Sequence, residues 1–301
     1  MRRIDLSVLL TAFIAMAGHA QGAINVFACE PEWAALAQEI GGDKVKASSA
    51  TTAQQDPHRI EARPSLIARA RNADLLICSG LELESGWLPV LVQQSGNTRI
   101  GAGQPGFLEA GPLVPRLEVP TRLDRSDGDI HPGGNPHVHG DPRNIQRVAD
   151  ALARRLGEID GGNAAFYRSR QKDFTARWSA SIARWEKEAA PLKGVAVVVH
   201  HRNMSYLLDW LGMHEAGALE PKPGIEPSAA HLSSLLTQLQ ARPAKMVLRA
   251  AYQDARASEW IAERTKMPAV LLPFTVGGSD KAKDLFGLFD DTIARLVAAL
   301  K

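Results

Sequence analysis

The sequence predicts an α/β protein of two lobes, each with a mainly parallel β-sheet flanked by helices, joined by one long rigid backbone helix. Three observations carry this. Short apolar runs alternate with amphipathic stretches in both halves of the chain, the pattern of strands that cross over through helices into a parallel sheet. From Asn163 to Ala190 the chain runs without a glycine or proline, which permits a helix of about 27 residues and roughly 40 Å. The chain has 301 residues, and beyond ~250 residues a chain divides into more than one core.

The first segment is read as a targeting sequence. Arg2 and Arg3 precede the apolar run Leu6 to Ala17, and Gly18-His19-Ala20 supplies small residues for a signal peptidase, so residues 1–20 are expected to be a signal peptide cleaved near Ala20. The run is too short to span a bilayer as a helix, which takes ~20 residues. Val26-Phe27-Ala28-Cys29 has some likeness to a lipoprotein cleavage site, but Phe27 is bulky where a small residue is wanted. Ile24 to Ala28 reads better as the first strand.

In the first lobe, residues 21–160, strands are expected at Ile24 to Ala28, Val45 to Ala47, Ala73 to Cys78 and Arg99 to Gly101. Helices are expected at Trp33 to Ile40, Pro64 to Arg71 and Trp87 to Ser95. Gly101 to Asp141 is irregular, rich in Gly and Pro, and ends in histidines. A helix opens at Asp141-Pro142, with Asp as N-cap and Pro at the first helical position; Ile145, Val148, Leu152, Leu156 and Ile159 form its buried stripe. The linking helix, within residues 161–190, places Phe166, Arg170, Phe174, Trp178, Ile182 and Trp185 on one face at helical spacing, a core-packing stripe. In the second lobe, residues 191–301, Val195 to Val199 is a β-branched run suited to a buried parallel strand. Ser205 to Leu211 and His231 to Ala241 read as helices, Lys245 to Leu248 and Ala269 to Leu272 as strands, and Asp284 to Leu300 as the closing helix.

Charge is nearly balanced, with 35 Lys+Arg against 33 Asp+Glu and a formal net charge of +2. That balance points to neither nucleic acid nor an anionic membrane as partner. The two cysteines, Cys29 and Cys78, each end an apolar strand-like run in the same half. In an oxidising compartment they can close a disulfide; two buried thiols are the alternative, since spacing alone does not supply the Cα separation a disulfide needs.

Nine histidines are present. His19 leaves with the signal peptide, while His58, His131, His137, His139, His200 and His201 fall in loops or at strand ends, where a cleft between lobes would find them. Imidazole is a common zinc ligand. Taken singly, each also reads as a surface or capping histidine. His200 and His201 end one strand, and adjacent strand residues face opposite ways, so at most one of them serves a given site.

The series Asp56-Pro57-His58, Pro64-Ser65, Ala73-Asp74 before a strand, Gly80 with Glu84 and Trp87-Leu88, Gly134-Asn135-Pro136-His137, and His201 followed by Tyr206 resembles the metal-binding solute receptors of ABC importers. Glu220 to Ser228 and Leu272 to Gly278 resemble that family's second lobe. The resemblance covers essentially the whole mature chain and implies a periplasmic receptor, not an enzyme. It would capture a divalent metal between two lobes and deliver it to a membrane permease. Carried over position by position, the implied ligands are His58, His137 and His201, with Asp280 as a carboxylate in the fourth place. Three imidazoles and one carboxylate suit tetrahedral Zn2+; Mn2+ prefers more oxygen and is the second choice. A monomer is expected, and a periplasmic metallochaperone is a further possible partner. The rival reading is a zinc-dependent hydrolase using His137-x-His139-x-Asp141, although Pro142 follows where that motif normally continues with another histidine.

Overall fold

The computed structural model describes residues 22–124 and 128–301; the expected signal peptide lies outside the described residues. Each half of the chain builds a four-stranded, all-parallel sheet. The first contains β1 (Ile24–Ala28), β2 (Val45–Ser49), β3 (Leu75–Cys78) and β4 (Phe107–Glu109) in the order β2-β1-β3-β4. The second contains β5 (Ala196–Val199), β6 (His214–Ala218), β7 (Met246–Ala250) and β8 (Ala269–Leu272) in the order β6-β5-β7-β8. The two sheets therefore share one strand order. In both, the chain reverses direction beside the first strand, and the crevice beyond the carboxyl ends of such strands is where parallel sheets bind ligands.

Helices α1 (Pro31–Gly41), α2 (Pro64–Arg71) and α3 (Leu88–Ser95) cover the first sheet, while α6 (Ser205–Leu211), α7 (Ala229–Ala241), α8 (Ala255–Thr265) and α9 (Leu285–Ala298) belong to the second half. Between them lie α4 (Pro142–Ile159) and the 25-residue α5 (Ala164–Glu188). Asp141 caps α4 by accepting the Arg143 backbone N–H at 2.8 Å, and Pro142 occupies the first turn, where no intrahelical N–H is needed.

Tyr167, Phe174, Trp178 and Trp185 are the buried residues of α5. Trp178 stacks on Phe174 at 5.2 Å and meets Phe289 of α9 edge-on at 5.6 Å. Its indole N–H donates to the Pro142 carbonyl at 2.8 Å, satisfying the one polar atom that burial of a tryptophan exposes to loss. One core is continuous across both halves: it includes Val26 and Trp33 of the first lobe, Leu152 of α4, Trp178 of α5, and Val199 and Phe289 of the second. Smaller apolar clusters back the outer face of each sheet.

Cys29 and Cys78 form a disulfide, with Cα atoms 4.8 Å apart. Cys29 follows β1 and Cys78 ends the neighbouring β3, so the sheet register brings them together. Beside them Glu30 and Glu84 are both buried. Glu84 accepts from the backbone N–H of Ser79 at 2.8 Å and of Gly80 at 3.1 Å, and Glu30 accepts from the Ser79 hydroxyl at 3.0 Å. Burial pushes the Glu84 carboxyl up to about 7; burial and the neighbouring Glu84 hold Glu30 well above the carboxylate range.

The structure departs from the sequence-based expectations in three elements. Arg99–Gly101 is not a strand: Thr98–Ile100 is a 3-10 turn, and the edge strand is the three-residue β4 that follows. Strand β6, His214–Ala218, carries no branched or aromatic side chain and lies at an edge, so it lacks the signature of a buried strand. Helix α8 was not anticipated, with Ile261 as its buried anchor and Asp254 as its N-cap.

Candidate metal centre

Three loops beyond the carboxyl ends of the strands converge between the lobes. His58 comes from the loop after β2, His137 from the long connection between β4 and α4, and His201 from the end of β5. One ligand-capable atom from each lies within 4.8 Å of the others. Ring centroids are 5.4 Å apart for His58 and His137, 5.6 Å for His58 and His201, and 5.7 Å for His137 and His201.

Each ring is held by its Nδ1. His58 Nδ1 is 2.7 Å from Asp56 Oδ1, His137 Nδ1 is 3.0 Å from Asn135 Oδ1, and His201 Nδ1 is 2.7 Å from Glu220 Oε2. An acceptor at Nδ1 fixes the proton there and leaves the Nε2 lone pair facing the cluster, the arrangement of metal-binding histidines. Two of these anchors share a local construction. In Asp56-Pro57-His58 and Asn135-Pro136-His137 the first side chain accepts both the backbone N–H and the ring nitrogen of the histidine two residues on. The proline between fixes φ in that turn.

His137 Nε2 is buried and has no hydrogen-bond partner among the described residues. A buried nitrogen lone pair without a donor is costly, and a cation at the centre of the three rings would satisfy it. Burial, followed by the neighbouring His58 and His201, holds the His137 imidazole well below its ordinary pKa, so the ring stays neutral and its lone pair free. The donor chemistry thus fits a divalent metal ion.

The connection carrying His137 ties the lobes together. Tyr206 of α6 donates its hydroxyl to the Asn135 carbonyl at 3.0 Å and accepts from the Leu117 backbone N–H at 3.1 Å. Asn135 Nδ2 donates to Glu118 and to the Arg202 carbonyl. Gly134 has φ +102°, and a Cβ there would lie 2.8 Å from the Leu117 carbonyl oxygen, so this turn requires glycine. A cavity of about 200 Å³ opens here, lined in part by His131, His137, His201 and Glu118.

Asp280 is not among the grouped donors. The turn after β8 is closed by the Gly277 backbone N–H donating to the Ala282 carbonyl at 2.7 Å, and Asp280 sits exposed within it, outside the grouped histidine donors. Sequence reading missed Glu220 as an anchor of His201, because nothing local links residues nineteen apart. His131 also stands at the site, its Nε2 3.3 Å from His58 Nε2; burial, followed by His58 and His201, lowers its pKa to about 4.

His139 and Asp141 point to other work. His139 lies 3.0 Å from the buried Glu32 carboxylate of α1 through Nδ1 and 3.1 Å from the Phe274 carbonyl through Nε2, while Asp141 caps α4 and pairs with Arg143 at 2.8 Å. The His137-x-His139-x-Asp141 segment therefore does not converge on one centre. His200 is buried beside the strand end but outside the histidine group. The cluster of Cys29, Cys78 and Glu84 is unsuited to metal while the two sulfurs are bonded to each other.

A family model described as "ZnuA: Zinc-uptake complex component A periplasmic" matches residues 26–299. The manganese ABC transporter substrate-binding lipoprotein PsaA of Streptococcus anginosus is 24% identical over 297 residues, covering 93% of this chain and 91% of that protein. The high-affinity zinc uptake system protein ZnuA of Bacillus subtilis (strain 168) is 21% identical, with coverage of 88% and 82%. A crystal structure of ZnuA superposes with a TM-score of 0.78 at 22% identity, covering 93% of this chain and 100% of that one. A Mn-bound periplasmic metal-binding protein from Candidatus Liberibacter asiaticus gives 0.75 at 17% identity, with coverage of 92% and 100%.

Proposed function

The chain belongs to the ZnuA family of periplasmic zinc-uptake components, and from that premise we propose that it captures Zn2+ as cargo and hands it to the membrane permease of an ABC importer. The observation that carries the choice of metal is the donor set. His58, His137 and His201 present Nε2 atoms, and the nearby carboxylates of Asp56 and Glu220 are occupied with Nδ1 protons. A nitrogen-dominated set favours zinc, whereas manganese favours oxygen. Relatives named for either metal do not separate the two, so the argument rests on these side chains.

In this reading the chain is a periplasmic monomer released from a signal peptide near Ala20, and it works as a receptor without turnover. The lobes, residues 21–160 and 191–301, hold the ion jointly, with 161–190 as the strut. Because one core runs through both lobes, capture involves small loop adjustments in place of a wide hinge opening. Release then requires the permease to disturb the ligands of one lobe; a periplasmic metallochaperone is a candidate donor.

The test is native mass spectrometry of the mature protein after exposure to equal zinc and manganese, alongside ester and β-lactam hydrolysis assays. The expected result is one zinc per chain and no zinc-dependent turnover. Preferential manganese loading, or hydrolysis that requires zinc, contradicts the proposal.

A further inference from the structure

Resting on the receptor reading above, we propose that His131 is the fourth donor, completing an all-imidazole tetrahedron with His58, His137 and His201 and setting the preference for zinc. The geometry comes from the loop. Asp129 donates its backbone N–H to the Pro223 carbonyl of the second lobe at 2.9 Å, and a turn is closed by the Gly134 N–H donating to the His131 carbonyl at 3.0 Å. Between these fixed points the His131 ring reaches the cluster, its Nε2 3.3 Å from that of His58 and its centroid 5.3 Å from the His58 ring.

Two facing ring nitrogens need something between them. His58 Nδ1 meets the Asp56 carboxylate, which only accepts, so its proton is on Nδ1 and Nε2 is bare. The His131 ring turns its Nε2 to His58, and the Leu81 backbone favours a proton on the ring, which then sits on Nδ1. Both Nε2 atoms then carry lone pairs. A proton shared between them would create an imidazolium among four clustered histidines, whereas one divalent cation satisfies every ring at once. The spacing agrees: ligands ~2.0 Å from a tetrahedral zinc are about 3.3 Å from one another. His131 is 6.5 Å from His137 by ring centroid and stands outside the three histidines whose donor atoms already lie within 4.8 Å of one another, so its loop must move inward when the ion enters.

This assignment replaces Asp280, whose carboxylate is exposed in the turn after β8. It also gives a reason for selectivity, because exchanging a carboxylate for an imidazole removes the hard oxygen that manganese favours.

The experiment is chelator competition for zinc and for manganese on the mature chain and its H131A, H131D, D280N and H137A variants, with Co2+ absorption spectra as a direct reading of donor number. H131A is expected to keep one zinc but bind it roughly 100-fold or more weakly, since losing even a partner that anchors a ligand takes about 10–100-fold. Its cobalt spectrum should change and its metal-free melting temperature should not. H131D should move the zinc-to-manganese ratio toward manganese, and D280N should match the parent. Unchanged zinc affinity and cobalt spectrum in H131A, with H137A impaired, would overturn this inference while leaving the receptor reading intact. Zinc binding indifferent to H137A would overturn both.

Discussion

The chemistry of the site depends on which nitrogen of each histidine faces inward, and that is decided by small acceptors outside the cluster. Asp56 is the simplest case, since one oxygen, Oδ1, accepts from both the backbone and the ring of His58. Burial works against its ionisation, but the hydrogen bonds from the His58 ring and backbone prevail and hold its carboxyl below the usual range. Asp56→Ala should weaken zinc binding about 10–100-fold with little change in metal-free stability, and Asp56→Asn, which keeps an acceptor, should lose less; isothermal titration of the two variants checks the order. His58 and His137 came from the family resemblance, and the fold groups them with His201; the Asx-Pro-His construction that anchors each ring is local. Glu220 was not legible in the sequence, for its partner His201 comes from another loop; His131 was one loop histidine among several until the fold set it beside His58, and Asp280 lies exposed in the turn after β8.

At the scale of elements, strands and helices with a clear apolar period were anticipated, among them β1, β3, β5, α4 and the long α5. Of the ones missed, β4 is three residues long and β6 is an edge strand, where little burial is needed and the pattern is correspondingly weak, while α8 buries only Ser258 and Ile261. Helix α5 also holds the most consequential packing. Trp178 is fully buried between Phe174 and α9, so Trp178→Ala should lose about 3–5 kcal/mol of unfolding free energy, measured by urea denaturation. The junction of β1 with β3 contains a different sensitivity. Glu84 has a folded pKa of about 7 against an ordinary 4.5, so the folded state holds a proton that the unfolded state releases between those values. Its contribution is present in full below 4.5 and is lost as pH rises through about 7. Replacing it by Gln should flatten that part of the pH dependence. Melting curves of Glu84→Gln that run parallel to the parent across this window would contradict the assignment.

For the whole molecule, the shared strand order of the two sheets was not visible as a sequence repeat, because only topology has been kept. The disulfide spans 49 residues of the first lobe, and closing a loop of that length is worth up to about 4 kcal/mol in the chain-entropy account. Reduction should therefore lower the melting temperature while leaving zinc affinity nearly unchanged, because neither cysteine belongs to the histidine group. The continuous core makes the two lobes a single packed body, so zinc is expected to bind with small loop movements. The central claim is joint capture by histidines of both lobes, and zinc affinity by chelator competition for His58→Ala, His137→Ala and His201→Ala tests it most directly. The account predicts that each substitution weakens binding, with His201→Ala, the sole change in the second lobe, as severe as the other two; full zinc affinity in His201→Ala would contradict it.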